Sequence, residues 1–297
     1  LGVAEEAYIA DTEHLDGVKK RDRLRMLSFA CAGTSRRKTR PRRRLRHAAR
    51  RNPAVFSFEH LHERYAKEID MKYAVIGDIH ANLEALSAVL EKCRELKVEK
   101  YFCIGDVVGY NANPSECMDL VRARSVATVR GNHDHYCSHD ESLDDFHPLA
   151  ANVVDWTRRQ LSADDVEYLS ELPMFKMISG FTIVHSTLDM PEKWGYVFDS
   201  LEADAHFNYQ TTSVCFYGHT HVPVCFERDS RVHRLPFSKV KVSIGRKYFI
   251  NVGSVGQPRD GDPRAAYATY DMSNRDIQLH RVEYDIASAQ AKIRGAG

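Results

Sequence analysis

No stretch of this chain of 297 residues reaches the roughly 18 consecutive apolar residues that a membrane-spanning helix needs. The segment MLSFACAG after KKRDRLR has the order of a secretory signal, but small and polar residues interrupt it and RRK follows at once, which argues against export. Cysteine is sparse and unpatterned: seven residues, an odd number, with no C-x-x-C pair, so neither a disulfide framework nor a zinc ribbon is expected. Reduced thiols in a cytoplasmic protein are the expectation. The chain also lacks a Walker loop, a G-x-S-x-G elbow and a dinucleotide fingerprint, and it carries no internal repeat.

Acidic residues are missing between Asp22 and Glu59, and ten of the sixteen residues from Arg36 to Arg51 are Lys or Arg. The formal net charge of +1 therefore hides a split: residues 1–70 carry 17 Lys and Arg against 10 acids, the rest 25 against 31. A block of like charge repels itself and is expected to be disordered. It reads either as an arm for nucleic acid or, the reading preferred here, as an incidental basic extension. A composition of 43% hydrophobic and 10% aromatic residues is ample for a core, so the domain organisation expected is an extension over 1–70 and one folded domain over 71–297.

From Met71 onward short apolar runs alternate with amphipathic stretches, which predicts an α/β domain. KYAVIGD reads as a strand, and NLEALSAVLEKCREL places Leu83, Leu86, Val89, Leu90 and Cys93 at helical spacing. KYFCIGD is a second strand, NPSECMDLVRAR a helix with Asn113 as N-cap and Pro114 at its first position, and SVATVRGN a third strand. Pro148 to Leu172 reads as helical, with Ser162 and Asp165 as a capping pair. FKMISG and FTIVHS suit a hairpin through Gly180. A helix near SLEADAHFNYQ then precedes a run of strands beginning with SVCFYGHTHVP.

Five strand ends stop in residues able to bind metal: Asp78 and His80 in VIGDIH, Asp106 in FCIGD, Asn132 and His133 in VRGNHD, His185 in TIVH, and His219 and His221 in YGHTH. Ligands collect beyond the carboxyl ends of strands in open α/β sheets, so these residues can converge despite their separation in sequence. His-x-His in extended chain also aims both rings to one side. Imidazole with carboxylate suits Mn, Fe, Zn, Co or Ni.

GDIH, GDVVGY, GNHD, VH and GHTH, in that order, resemble the calcineurin-like metallophosphoesterases over residues 71–285, and within them the compact prokaryotic phosphodiesterase branch. The resemblance implies a four-layer α/β/β/α sandwich of two mixed sheets flanked by helices, with two divalent metal ions, manganese first among them. Carried over by motif, Asp78, His80 and His221 hold one ion, Asn132, His185 and His219 the other, and Asp106 bridges. His133 then stands by the leaving group as acid or charge stabiliser. The activity implied is hydrolysis of a phosphodiester or phosphomonoester, with a small nucleotide-type substrate and in-line attack by metal-bound hydroxide. A nuclease guided by the basic arm is one alternative, and a non-catalytic module of the same fold another. The membrane is not an expected partner.

Some members carry Arg soon after the second GD, whereas this loop reads GDVVGYNANP, so phosphate must be held otherwise. Tyr110 and Asn111 lie where substrate should approach, although a plain turn fits them too. Arg259 and Arg264 in GQPRDGDPR suit bidentate phosphate binding, and equally a tight turn with solvated charges. Asn82 is expected both to cap a helix and to support the ligands. The role of Asp134 is open. His135, His139, His147, His206, His233 and His280 are expected at the surface or in the core, and Cys137 in packing.

Overall fold

The computed structural model of the protein describes residues 71–144, 148–178 and 180–296. The expectations for residues 1–70 and for His147 lie outside the described residues. In chain order the strands are β1 (Lys72–Ile76), β2 (Lys100–Cys103), β3 (Ala127–Thr128), β4 (Phe175–Ile178), β5 (Phe181–Val184), β6 (Val214–Tyr217), β7 (Val224–Arg228), β8 (Val232–Leu235), β9 (Lys239–Lys241), β10 (Lys247–Asn251), β11 (Ala265–Asp271) and β12 (Asp276–Val282). The helices are α1 (Leu83–Glu95), α2 (Pro114–Ala123), α3 (Asn132–Ser138), α4 (Pro148–Gln160), α5 (Ala163–Glu171), α6 (Ser200–Phe207) and α7 (Ile286–Ala296). Among the described residues no helix is long and apolar enough to cross a membrane.

Two mixed six-stranded sheets result, in the orders β3-β2-β1-β11-β12-β9 and β4-β5-β6-β10-β7-β8. The first holds the parallel set β1, β2 and β3, the second the parallel set β5, β6 and β10. Alternation along each strand makes the layers. Tyr73 and Val75 of β1 join Phe102, Phe181, Phe216, Tyr248 and Tyr270 in the core between the sheets, while Ala74 and Ile76 face the other way. Phe181 packs edge-on to Phe102 at 5.2 Å and to Phe216 at 5.7 Å, an arrangement the ring quadrupoles favour. Outside the first sheet, Leu86, Val89, Leu90 and Cys93 of α1 cover Ile76, Cys103 and Tyr267. Outside the second, Ala203 and Phe207 of α6 cover Tyr217, Val224 and Phe249. This is the four-layer α/β/β/α sandwich. Strands buried on both faces read as continuous apolar runs, as KYAVI and VCFY do.

The expected hairpin is present, with Ile178 paired to Phe181 and Gly180 at φ +95° between β4 and β5. Ser162 and Asp165 form the capping box that opens α5. Asn113 is the N-cap residue of α2 with Pro114 at its first position, as expected, but its side chain makes no capping bond: Nδ2 donates to Glu116 at 2.8 Å and Oδ1 accepts from Lys292 at 3.1 Å.

Candidate metal centre

Beyond the ends of β1 and β2 the strand ladder continues between the two loops. Asp78 N donates to Gly105 O at 3.0 Å, His80 N to Asp106 O at 2.9 Å and Ala81 N to Val107 O at 2.9 Å. Asp78, His80, Asp106, His219 and His221 all adopt left-handed backbone, with φ between +48° and +67°. That conformation costs a non-glycine residue about 1–2 kcal/mol, and it turns the chain sharply enough to present two ligands from one short loop.

The side chains gather in two clusters that share a member, Asp78, His80, Asp106 and His221 in one and Asp106, His185 and His219 in the other. Asp106 Oδ2 lies 3.5 Å from His80 Nε2 and 3.4 Å from His185 Nε2. In the first cluster His80 Nε2 is 3.1 Å from His221 Nε2, which is 3.3 Å from Asp78 Oδ1. In the second His185 Nε2 is 3.1 Å from His219 Nδ1 and 3.0 Å from Asn132 Oδ1. All seven candidate ligands named from the sequence come together.

The outer nitrogen of each ring faces a backbone carbonyl: His80 Nδ1 that of Val108 at 3.2 Å, His185 Nδ1 that of Ile104 at 2.9 Å, His219 Nε2 that of Trp194 at 2.9 Å and His221 Nδ1 that of Gln257 at 2.7 Å. Carbonyls only accept, so each neutral ring must donate outward and keep its lone pair for the interior. Neutral His80, His219 and His221 thus turn lone pairs toward the Asn132 carbonyl oxygen and the two carboxylates, while His185, beside Asp106, holds its proton more tightly. A cation in each cluster relieves that arrangement, and the mixed nitrogen and oxygen set fits first-row divalent metals.

Burial sets the electrostatics. It pushes His80, His219 and His221 well below the usual imidazole range, leaving neutral donors. Burial also raises Asp78, to about 7, with Asp106 adding to the effect. His185 is pulled down by burial but lifted to about 9 by Asp106 beside it. Asp106 is pushed up by burial, yet the surrounding His185, His133 and His80 outweigh this and hold it well below the ordinary carboxylate range.

His133 lies next to this group, its ring centroid 4.9 Å from that of His80 and 4.5 Å from that of Tyr110, and its backbone N–H donates to Asp106 Oδ1 at 2.9 Å. Arg259 donates to Gln257 Oε1 at 2.7 Å and to the Tyr110 hydroxyl at 3.4 Å, and its charge reaches Asp78, His80, His219 and His221. Arg264 is elsewhere engaged, exposed and bound bidentately by Asp262 at 3.0 and 2.7 Å. Asn111 is buried and spends Nδ2–H on His80 O at 2.7 Å, which makes it a brace of the ligand loop and turns it away from the expected substrate side. Asn82 caps α1 as expected, accepting from Ala85 N at 3.0 Å, but it touches no candidate ligand: Nδ2 donates at 3.0 Å to the carbonyl of Gly256, whose N–H in turn donates to Asp78 O at 2.9 Å.

Asp134 acquires a role that the sequence left open. Its carboxylate accepts from the backbone N–H groups of Asp106, Val107, Val108 and Gly131 at 2.8 to 3.3 Å, and so fixes the loop that carries Asp106. Its place as the last residue of GNHD was the available signal. The carbonyls of Trp194 and Gln257 left none, because every residue type offers the same carbonyl. His135 and His139 stack on each other at 4.3 Å, and His206, His233 and His280 sit on α6, β8 and β12 outside both clusters. Cys137 is buried, and burial holds its thiol far above the ordinary range, consistent with packing.

A two-sheet sandwich whose parallel strands end in a shared pair of N/O clusters has a residue set that fits two divalent ions. The chain belongs to the calcineurin-like phosphoesterase superfamily, whose domain model matches residues 71–275. It is 40% identical over 224 residues to an uncharacterized protein of Methanocaldococcus jannaschii, covering 74% of this chain and 90% of that one. Among solved structures it is similar to a metallophosphoesterase from Sphaerobacter thermophilus, with 41% identity, a TM-score of 0.69 and coverage of 76% of this chain and 94% of the other. A hypothetical protein from Pyrococcus horikoshii OT3 shares the fold at 21% identity, with a TM-score of 0.61 and coverage of 75% and 92%.

Proposed function

We propose that the protein hydrolyses a small phosphodiester or phosphomonoester with two divalent ions, manganese foremost. The observation that carries this reading is the single oxygen, Asp106 Oδ2, within 3.5 Å of a histidine from each cluster. Asp78, His80 and His221 would hold one ion, and Asn132, His185 and His219 the other. Bound there, the pair would supply Lewis acidity, acidifying a water and neutralising charge on the phosphoryl oxygens.

The residues around the ligands divide the remaining work. Arg259, oriented by Gln257 and the Tyr110 hydroxyl, is assigned the nonbridging oxygens of the substrate. It supplies the cation that the GDVVGYNANP loop lacks. His133 is assigned the leaving oxygen. Its Nδ1 is packed against Gly109, where an added Cβ would lie 2.4 Å away, so the proton is delivered from Nε2.

Purified protein loaded with manganese should hydrolyse members of a panel of monoesters, diesters, cyclic nucleotides and dinucleoside polyphosphates. No turnover on any of them, at two bound metals per chain, removes the hydrolase reading. His133→Ala should keep both metals and lose about 10²–10⁴-fold in rate on poor leaving groups, the range of general acid catalysis, and less on nitrophenyl esters. Equal loss on both counts against the proton transfer.

A further inference from the structure

The loop after β5 runs alongside the second cluster and carries three aromatic residues, Trp194, Tyr196 and Phe198. Its backbone is tied to the site at Trp194, whose carbonyl accepts from His219 Nε2 at 2.9 Å. Trp194 ends the short 3₁₀ turn Pro191–Lys193 in left-handed conformation, φ +52°, with its N–H on Pro191 O at 3.3 Å. A bulky residue held at positive φ is a strained choice, and such strain concentrates where a side chain must be aimed.

The indole sits beside the second cluster. The indole lies 6.0 Å from the His185 ring and 5.6 Å from His135, while Tyr196 covers the face of His219 at 4.1 Å. Tyr196 stacks face to face on one candidate ligand, whereas Trp194 meets another, His185, edge to face, is half-buried, and its Nε1–H takes no protein acceptor among the described residues. Across the clusters stand the Arg259 guanidinium and Tyr110, the groups assigned to phosphate. A substrate phosphate at the ions would therefore have a cation on the first-cluster side and a large flat indole with a spare donor on the other. Simple alkyl or inorganic phosphates have no use for such a surface. A nucleobase does, for its π-face stacks on the ring and its edge offers acceptors to Nε1–H.

We infer that Trp194 is the specificity-determining platform for the base of a nucleotide ester, which makes the substrate class nucleoside phosphodiesters or their monoester counterparts. This rests on the phosphoesterase reading for the reaction, though not for the binding. The chain has two tryptophans, so Trp156→Phe leaves Trp194 as the sole indole reporter. In that full-length variant, loaded with zinc, AMP should quench the emission and bind about tenfold or more tightly than ribose phosphate or inorganic phosphate, the scale of one base–aromatic stack. Trp194→Ala in the otherwise native chain should erase the preference for AMP in calorimetry, and Trp194→Phe should restore most of it, at unchanged metal content. In turnover, Trp194→Ala should raise KM for p-nitrophenyl thymidylate by a similar factor with little change in kcat, and leave methyl p-nitrophenyl phosphate unaffected. Equal binding of AMP and ribose phosphate to the native chain, or equal losses on both esters in Trp194→Ala, overturns the platform. Base-selective binding without hydrolysis of any ester supports the platform and overturns the proposed reaction.

Discussion

Asp106 Oδ2 is the atom on which both clusters depend, so Asp106→Asn should lower occupancy at both ions and abolish turnover. Removing His221, a member of the first cluster alone, should loosen chiefly one. Elemental analysis of the two purified variants separates these outcomes, and full two-metal loading of Asp106→Asn would remove the bridging role. A second residue controls acid stability away from the site. Burial, helped by Lys72 and Lys92, lowers His280 from its ordinary 6.5 to about 4, where it stacks on Tyr267 and pairs with the Thr269 hydroxyl at 2.8 Å. Between those two values the unfolded chain takes up a proton that the folded chain refuses. Stability is therefore level above about pH 6.5, falls as the pH drops toward 4, and levels again below. His280→Gln should flatten that part of the decline in urea titrations, and parallel curves for the two proteins would contradict it. The candidate ligands were legible in the sequence because each ends an apolar run. Asn111 was not, because its placement on a turn says nothing about whether the amide points to solvent or back to His80 O.

At the scale of elements, the loops are as specific as the strands they follow. Gly131, just before Asn132, lies so close to Asp106 that an added Cβ would fall 2.0 Å from Oδ1 and 2.4 Å from its backbone N. Gly218 stands in the same relation to Asp78, with Oδ2 2.3 Å from the Cβ position. Gly131→Ala should cost roughly 1–3 kcal/mol from overpacking, and it should also depress metal loading because the atom displaced belongs to the shared carboxylate. A melting curve and a metal assay on one sample test this, and loss of stability with normal loading would mean that the carboxylate gives way harmlessly. α1, from its helical period, and β1, β2 and β6, as apolar runs closed by turn residues, could be read directly. β9 could not, since KVK at a sheet edge gives three residues of period with exposed lysines. Nor could α3, whose sequence NHDHYCS has a polar, ligand-bearing first turn that reads as loop. Its helix is organised by Asp134, which holds Gly131 and the neighbouring loop at once.

Across the whole molecule, neither cluster belongs to one sheet. Asp78, His80 and Asp106 follow strands of the first sheet and His221 follows β6 of the second, while the other cluster joins Asp106 to His185 and His219. Elsewhere the sheets are joined by apolar packing between Tyr73, Phe102, Phe181, Phe216 and Tyr270, which is strong but tolerates sliding. Directional bonds from an ion to both sides do not slide. Each ion, once bound, would thus act as a rivet through two plates, and metal supply would become a term in the mechanical integrity of the sandwich. Ligand present at a hundred times its Kd stabilises a fold by about 2.7 kcal/mol. A chelator should accordingly lower Tm, manganese should restore it in a concentration-dependent way, and in hydrogen exchange the amides of the Asp78, Asp106 and His219 loops should lose protection before those at the opposite strand ends. Uniform loss would mean that the plates hold without the rivets. If the order is as expected, starving a cell of the metal would do more than silence this protein: it would spring one edge of the molecule open and expose the aromatic interior to proteases.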